Sequence, residues 1–149
     1  MVEIFPVVSI GRSAQYCLHV HLSGTSGFGT GVASANNSIN LGAMKTVEIV
    51  GGYVNGMVAT TCGATVGSGG VTQSNALTGK PSAYVELRKS DNTTVVGRVG
   101  LPVTNPVKFS NVQYIYIYIK AAYASDSSAS YKSGGSAYVG DACVYFNVL

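Results

Sequence analysis

The run Tyr114-Ile115-Tyr116-Ile117-Tyr118-Ile119-Lys120 admits one local conformation that satisfies all its side chains. Successive residues of a β-strand point to opposite sides, so Ile115, Ile117 and Ile119 share one face and Tyr114, Tyr116 and Tyr118 share the other. The isoleucine face belongs in a core. The tyrosine face, which ends in Lys120, is amphipathic, suited to lie half-exposed on a sheet or to be covered by another protein surface. Tyr114, Tyr116, Tyr118 and Lys120 are therefore the candidate interface or glycan-binding residues.

The rest of the chain repeats this grammar. Nineteen glycines and many Ser, Thr and Asn clusters cut 149 residues into short apolar or alternating segments, as in an all-β protein. Strands are expected at 3–10, 15–22, 46–50, 53–60, 83–89, 94–99, 113–123 and 137–148, with a weaker one near 38–41. The turn signal Ser90-Asp91-Asn92 joins 83–89 to 94–99 as a hairpin. Short hairpins mixed with long crossings imply one antiparallel β-sandwich with jelly-roll or Greek-key connections and eight or nine strands. Residues 1–149 form a single domain, long enough to bury a core without staples. The alternation places Val85, Leu87, Ile115, Ile117, Ile119, Val144 and Phe146 in that core. Three segments, 23–37, 63–79 and 125–136, are almost free of large side chains and read as long loops, either a contact surface or plain connections.

Charged residues make up 10% of the chain, against a usual share of about 25%. A subunit in lasting contact with neighbours tolerates such scarcity better than an isolated monomer does. The net charge of +3 is spread thinly. Lys45, Lys80, Arg98, Lys108, Lys120 and Lys132 are solitary, so no nucleic-acid footprint is formed. No apolar stretch reaches the length that spans a bilayer. The N-terminal Met1-Val2-Glu3-Ile4-Phe5-Pro6 lacks the pattern of a signal peptide, from which maturation in a cytoplasm is expected. Cys17, Cys62 and Cys143 are odd in number; at most one pair can bridge, and three buried reduced thiols are the expectation.

Catalytic patterns fail one by one. Cys17, His19 and His21 share a strand face at about 7 Å spacing and are the weak metal candidates, but the chain has no further histidine, and the alternate set Leu18, Val20 and Leu22 makes the histidines solvent-facing. No metal and no cofactor is expected. The glycine-rich segments 24–31 and 67–70 lack the Lys-Ser/Thr and the following helix of a phosphate loop. The six acids are dispersed, and no Gly-x-Ser-x-Gly is present. The expectation is that the protein is not an enzyme. The tyrosines are a possible platform for sugar rings, although a chain without Trp lacks the stronger one. They are equally cross-strand packing partners, with Tyr84 and Tyr145 as candidates in neighbouring strands.

The run from Tyr84 to Gly97, the segment 112–123 and the closing strand 137–148 together resemble the β-sandwich modules of bacteriophage virion proteins, such as tail fibres, head fibres and capsid decoration proteins. The resemblance is one of texture over about residues 82–149. It implies a structural subunit that binds copies of itself and other virion proteins, located in the virion and assembled in the host cytoplasm, with no catalytic residue to carry over. The alternative is a carbohydrate-binding or adhesin module that recognises host-surface glycans. Neither nucleic acid nor a membrane is an expected partner.

Overall fold

A computed structural model describes residues 2–9, 12–26, 31–66, 70–123 and 132–149, with side chains described over 14–25, 32–58, 80–122 and 137–149. The described residues contain no helix. Eight strands follow one another in the chain: β1 (Val2–Ser9), β2 (Arg12–Ser26), β3 (Gly31–Val66), β4 (Gly70–Gly79), β5 (Ser82–Arg88), β6 (Val95–Gly100), β7 (Val107–Tyr123) and β8 (Lys132–Val148). Their pairings are antiparallel and join them into one sheet, in the order β1-β2-β8-β3-β7-β5-β6, with β4 attached to β3.

β3 organises this sheet. Its first half pairs with β7, from Gly31 opposite Tyr123 to Asn40 opposite Tyr114, and its second half pairs with β8, from Val47 opposite Val148 to Ala64 opposite Lys132. Between the halves the register slips at residues 40–45, where Gly42 takes a φ of 84° and its N–H donates to Asn40 Oδ1 at 2.8 Å. A positive φ costs glycine little, so Gly42 absorbs the slip; the pairing with β7 resumes beyond it, from Lys45 opposite Val112 to Ile49 opposite Val107, and from Val47 onward β8 pairs with the other edge of β3. The three segments expected at 38–41, 46–50 and 53–60 are thus stretches of one 36-residue strand.

The apolar face of the sheet is buried as the period-two pattern requires. Leu18, Val47, Ile49, Val85, Leu87, Val112, Ile115, Ile117, Ile119, Val144 and Phe146 are fully inaccessible and belong to one cluster drawn from β2, β3, β5, β7 and β8. All seven expected core residues are among them. β7 and β8 are not neighbours in the sheet, yet a Cβ placed on Gly140 of β8 would come within 2.8 Å of Ile119 Cδ1 on β7. Glycine at 140 therefore sets how closely the two strands approach.

The expected long loops are replaced in large part by strand. Residues 23–26 continue β2, residues 31–37 begin β3, residues 63–66 and 70–79 pair as the end of β3 with β4, and residues 132–136 begin β8. The remaining parts of those segments lie outside the described residues. Small side chains supply little burial, but each residue still brings an N–H and a C=O, and a neighbouring ladder takes up those that face it.

Candidate functional site

The outward face of the sheet carries two groups of polar side chains. The first is built on β5 and β7, with β6 and the first half of β3 beside them. Register places Tyr114 opposite Arg88, Tyr116 opposite Glu86, Tyr118 opposite Tyr84 and Lys120 opposite Ser82. On the other side, the same residues face Asn40, Ser38, Asn36 and Ser34 of β3. The tyrosine row is half-buried, while Lys120 and those four β3 residues are exposed.

Within this group the aromatic rings pack on one another. Tyr84 stacks on Tyr118 with centroids 4.9 Å apart, and Tyr118 on Tyr116 at 5.9 Å. Arg88 lies over the Tyr116 ring, its Cζ 4.0 Å from the centroid, and donates from Nη2 to the Tyr118 hydroxyl at 2.9 Å. Glu86 is buried between two arginines, its Oε2 accepting from Arg88 Nε at 2.6 Å and its Oε1 from Arg98 Nε at 2.7 Å. Burial alone would push the Glu86 carboxyl up; the hydrogen bonds and charges of Arg88 and Arg98 outweigh it and hold the group below the usual range. Burial likewise pushes the Tyr118 hydroxyl up, against the opposing charge of Arg88.

The expected hairpin is present and pins this group. Asp91 Oδ1 accepts from the N–H groups of Thr93 and Thr94, at 2.9 and 2.8 Å, and Asn92 adopts the left-handed φ of 58° that asparagine tolerates in tight turns. These contacts lower the Asp91 pKa to about 2, the Thr94 hydroxyl bond being the largest cause. Asn92 then reaches back over the strands. Its Oδ1 accepts from the Tyr116 hydroxyl at 2.7 Å and its carbonyl from Arg88 Nη1 at 3.1 Å. The structure thus brings Tyr116 and Tyr118 into one network with Tyr84, Glu86, Arg88 and Asn92. Tyr114 and Lys120 share the face but stand outside the stack.

The second group lies where β2, β8 and the middle of β3 run side by side. Register sets Cys17 opposite Tyr145, His19 opposite Cys143 and His21 opposite Asp141. Cys17 and Cys143 form a disulfide with S–S 2.02 Å and Cα–Cα 6.3 Å. This corrects the expectation of three reduced thiols: the two cysteines lie one register step apart on the same face of adjacent strands, within bridging distance. The bridge removes Cys17 from any ligand set. His19 Nε2 and His21 Nδ1 lie 3.0 and 2.9 Å from the same oxygen, Asp141 Oδ1. The His21 bond leads in drawing the Asp141 carboxyl below its usual range, the His19 bond adds to it, and burial opposes both. Beside them Tyr53 and Tyr145 pack at 6.2 Å, and burial, then Tyr145 and Asp141, push the Tyr53 hydroxyl up. No three His, Cys, Asp or Glu side chains among the described residues are arranged to hold a metal ion.

Sequence reasoning missed Asp141 because it stands 120 residues from His21. The signal was available only through strand pairing: alternation in 137–148 puts Asp141, Cys143 and Tyr145 on one face, as alternation in 15–22 does for Cys17, His19 and His21. Of the two aromatic partners considered from sequence, Tyr84 stacks in the tyrosine row, whereas Tyr145 pairs with Tyr53.

Two shallow cavities open among the described residues. One, of about 360 Å³, is lined by Tyr16, Ile39, Asn40, Leu41, Lys45, Phe146 and Val148. The other, of about 200 Å³, is lined by Met57, Ala137, Tyr138 and Val139. Lys45 is the one ionisable side chain, apart from tyrosine hydroxyls, in either lining.

No family model matches the chain, and no curated protein matches it. Among solved structures it is similar to chains of infectious bursal disease virus. In the Gx strain structure the identity is 14% and the TM-score 0.32, over 92% of this chain and 38% of that one. The Gt strain gives 14% and 0.33, over 89% and 33%. The VP2 subviral particle gives 15% and 0.29, over 89% and 34%. The chain spans little more than a third of the length of these proteins at most. At such identities and TM-scores the likeness identifies neither a family nor a function.

Proposed function

We propose that this chain is a non-enzymatic structural subunit of a virus particle, of the decoration, head-fibre or tail kind that its second half resembles in bacteriophages, and that its single sheet doubles over into a two-layer sandwich. The observation that carries the reading is the state of the polar groups on the outward face. Glu86 is held by two arginines, the Tyr116 and Tyr118 hydroxyls are hydrogen-bonded, and Asp141 is shared by two histidines. A general acid, base or nucleophile needs a group directed at a substrate, and here these groups are directed at one another. Around them the face carries little charge, Lys120 aside, and is partly apolar: Val32, Met57 and Val139 are 61%, 55% and 46% exposed. A surface of neutral polar, aromatic and aliphatic side chains is what a subunit buries against copies of itself and other particle proteins.

The same network weighs on the glycan alternative. A sugar stacks on a free ring face, and Tyr116 and Tyr118 are engaged by one another, by Tyr84 and by Arg88. On this face Tyr114, one side of Tyr84 and the neighbouring Asn36, Ser38 and Lys120 are available to a saccharide.

The test is incorporation. Tyr114→Lys and Tyr116→Lys each place a charge on the contact face, where burial without a partner is costly. Both variants are expected to fold, by circular dichroism and thermal melting, and to be missing from purified particles that contain the unaltered protein. Tyr114 stands outside the stack, so its variant remains informative if Tyr116→Lys melts early. Normal incorporation of both variants, with loss of binding to a cell-surface glycan, transfers support to the carbohydrate-binding alternative.

A further inference from the structure

Among the described residues, three strands of the sheet have only one partner: β1, β6 and β4. A strand edge presents unpaired N–H and C=O groups, a template for another strand unless charge, proline or an irregularity blunts it. β1 is blunted, since Pro6 lacks an N–H and the register with β2 breaks between Ile4 and Val7. β6 is six residues long and carries Arg98, which is 62% exposed. Even the stretch of β2 beyond its pairing with β1 is partly covered, because Asn37 Nδ2 donates to the His19 carbonyl at 2.9 Å.

β4 has neither charge nor proline, and its one register shift lies near its start. Its ten residues, Gly-Val-Thr-Gln-Ser-Asn-Ala-Leu-Thr-Gly, include no charge and no proline. Its register with β3 runs without a break from Gln73, opposite Ala64, to Gly79, opposite Val58, and the one irregularity lies beyond Gln73, toward Gly70. No charged residue occurs anywhere from Ile49 to Gly79, so the whole hairpin of β3 and β4 is electrically bare.

We infer that the free edge of β4 is an interaction surface and that its partner is the β4 edge of a second copy, paired antiparallel about a two-fold axis. Two features select this occupant. Antiparallel pairing of an edge with itself is self-complementary, so each group one copy leaves unpaired meets its counterpart, and the contact closes as a dimer. Growth of β4 onto β1 or β6 of a second copy meets Pro6 or Arg98. With the axis at Ala76, the centre of the unbroken stretch, Ser74 faces Thr78 and no like charges oppose. This inference rests on the reading of the chain as an assembly subunit and names one contact of that assembly.

The experiment is sedimentation equilibrium on the full chain, with amide hydrogen exchange at several protein concentrations. The unaltered protein is expected to dimerise, with exchange across Gln73–Gly79 slowing as concentration rises. Ser74→Lys/Ala76→Lys sets ammonium groups against one another across the axis and should weaken the dimer about tenfold or more, whereas the control Thr93→Lys, in the turn before β6, should not. A protein that stays monomeric at high concentration overturns the inference. So does a dimer that persists in the lysine variant, or amides in Gln73–Gly79 that exchange at the same rate in monomer and dimer, the readout that decides if the variant fails to fold. Each of these outcomes leaves the incorporation test of the assembly reading untouched.

Discussion

The two polar groups of the outward face fasten the same sheet by different chemistry. Across β5 and β7 the fastening is a stack of tyrosines beneath an arginine, with a buried glutamate clamped from two sides. Across β2 and β8 it is a covalent bridge beside one carboxylate shared by two exposed histidines. The first kind of seal excludes water and is strong where Glu86 is buried; the second owes its strength to a bond and leaves its charges screened. Beneath both lies one aliphatic core, and that order of strength organises the expected effects of perturbation.

Truncating the shared core should outweigh any change above it. Ile117→Ala removes buried methyl groups from the centre of β7 and should cost about 2–5 kcal/mol in denaturant unfolding, more than any single change in either polar group. Next in size is the covalent seal. Reduction of Cys17–Cys143 should lower stability by about 2–4 kcal/mol, seen as a fall in the melting temperature when reductant is added, while alkylation without reductant should leave both cysteines unlabelled. Equal stability with and without reductant would place the strength of the β2–β8 seam in its ladder alone.

The clamp comes third. Glu86→Gln should cost about 1–3 kcal/mol, because it leaves Arg88 half-buried without its carboxylate, and Arg98→Ala, on the exposed side, less than about 1 kcal/mol. The depressed Glu86 carboxyl stabilises the fold above its unfolded pKa, and that contribution is lost as pH falls through the lower folded value; a Gln variant should lose this part of the acid limb of its stability profile. The smallest effect is expected at Asp141. Its pKa is also lowered by folding, so its contribution is present at neutral pH and lost in the acid range, and Asp141→Asn should cost no more than about 1 kcal/mol on an exposed site. If Asp141→Asn proves costlier than Glu86→Gln, the ranking of the two carboxylates is reversed.

What was legible in the sequence was the alternation. Ile115, Ile117 and Ile119 declare their face without reference to any partner, as do Val85 and Leu87, and the hairpin at Ser90-Asp91-Asn92 is written in turn-forming residues. Pairing across long separations was not legible. Nothing local in Cys17 points to Cys143, or in His21 to Asp141. The Gly/Ser/Thr-rich stretches misled for a related reason: residues 70–79 lack the β-branched and aromatic side chains that mark a strand, yet the ladder to β3 needs only backbone groups. The length of β3 was hidden by Gly51 and Gly52, which read as a break between the segments 46–50 and 53–60 and lie within one strand.

The strand order carries a consequence for how the chain acquires its shape. β8 lies between β2 and β3 in the sheet but follows both by more than 60 residues in the chain. During synthesis the first three strands emerge before the strand that fits between two of them exists. Until residues 132–148 arrive, the inner edges of β2 and of the second half of β3 stand open, and so does the apolar face that Val144 and Phe146 later cover. Contacts of such long sequence separation make folding slow, and open edges make the interval hazardous. The nascent chain therefore passes through a stage of exposure that the finished molecule does not show, and at high expression the yield of protein should be decided in that interval rather than by the stability reached afterwards.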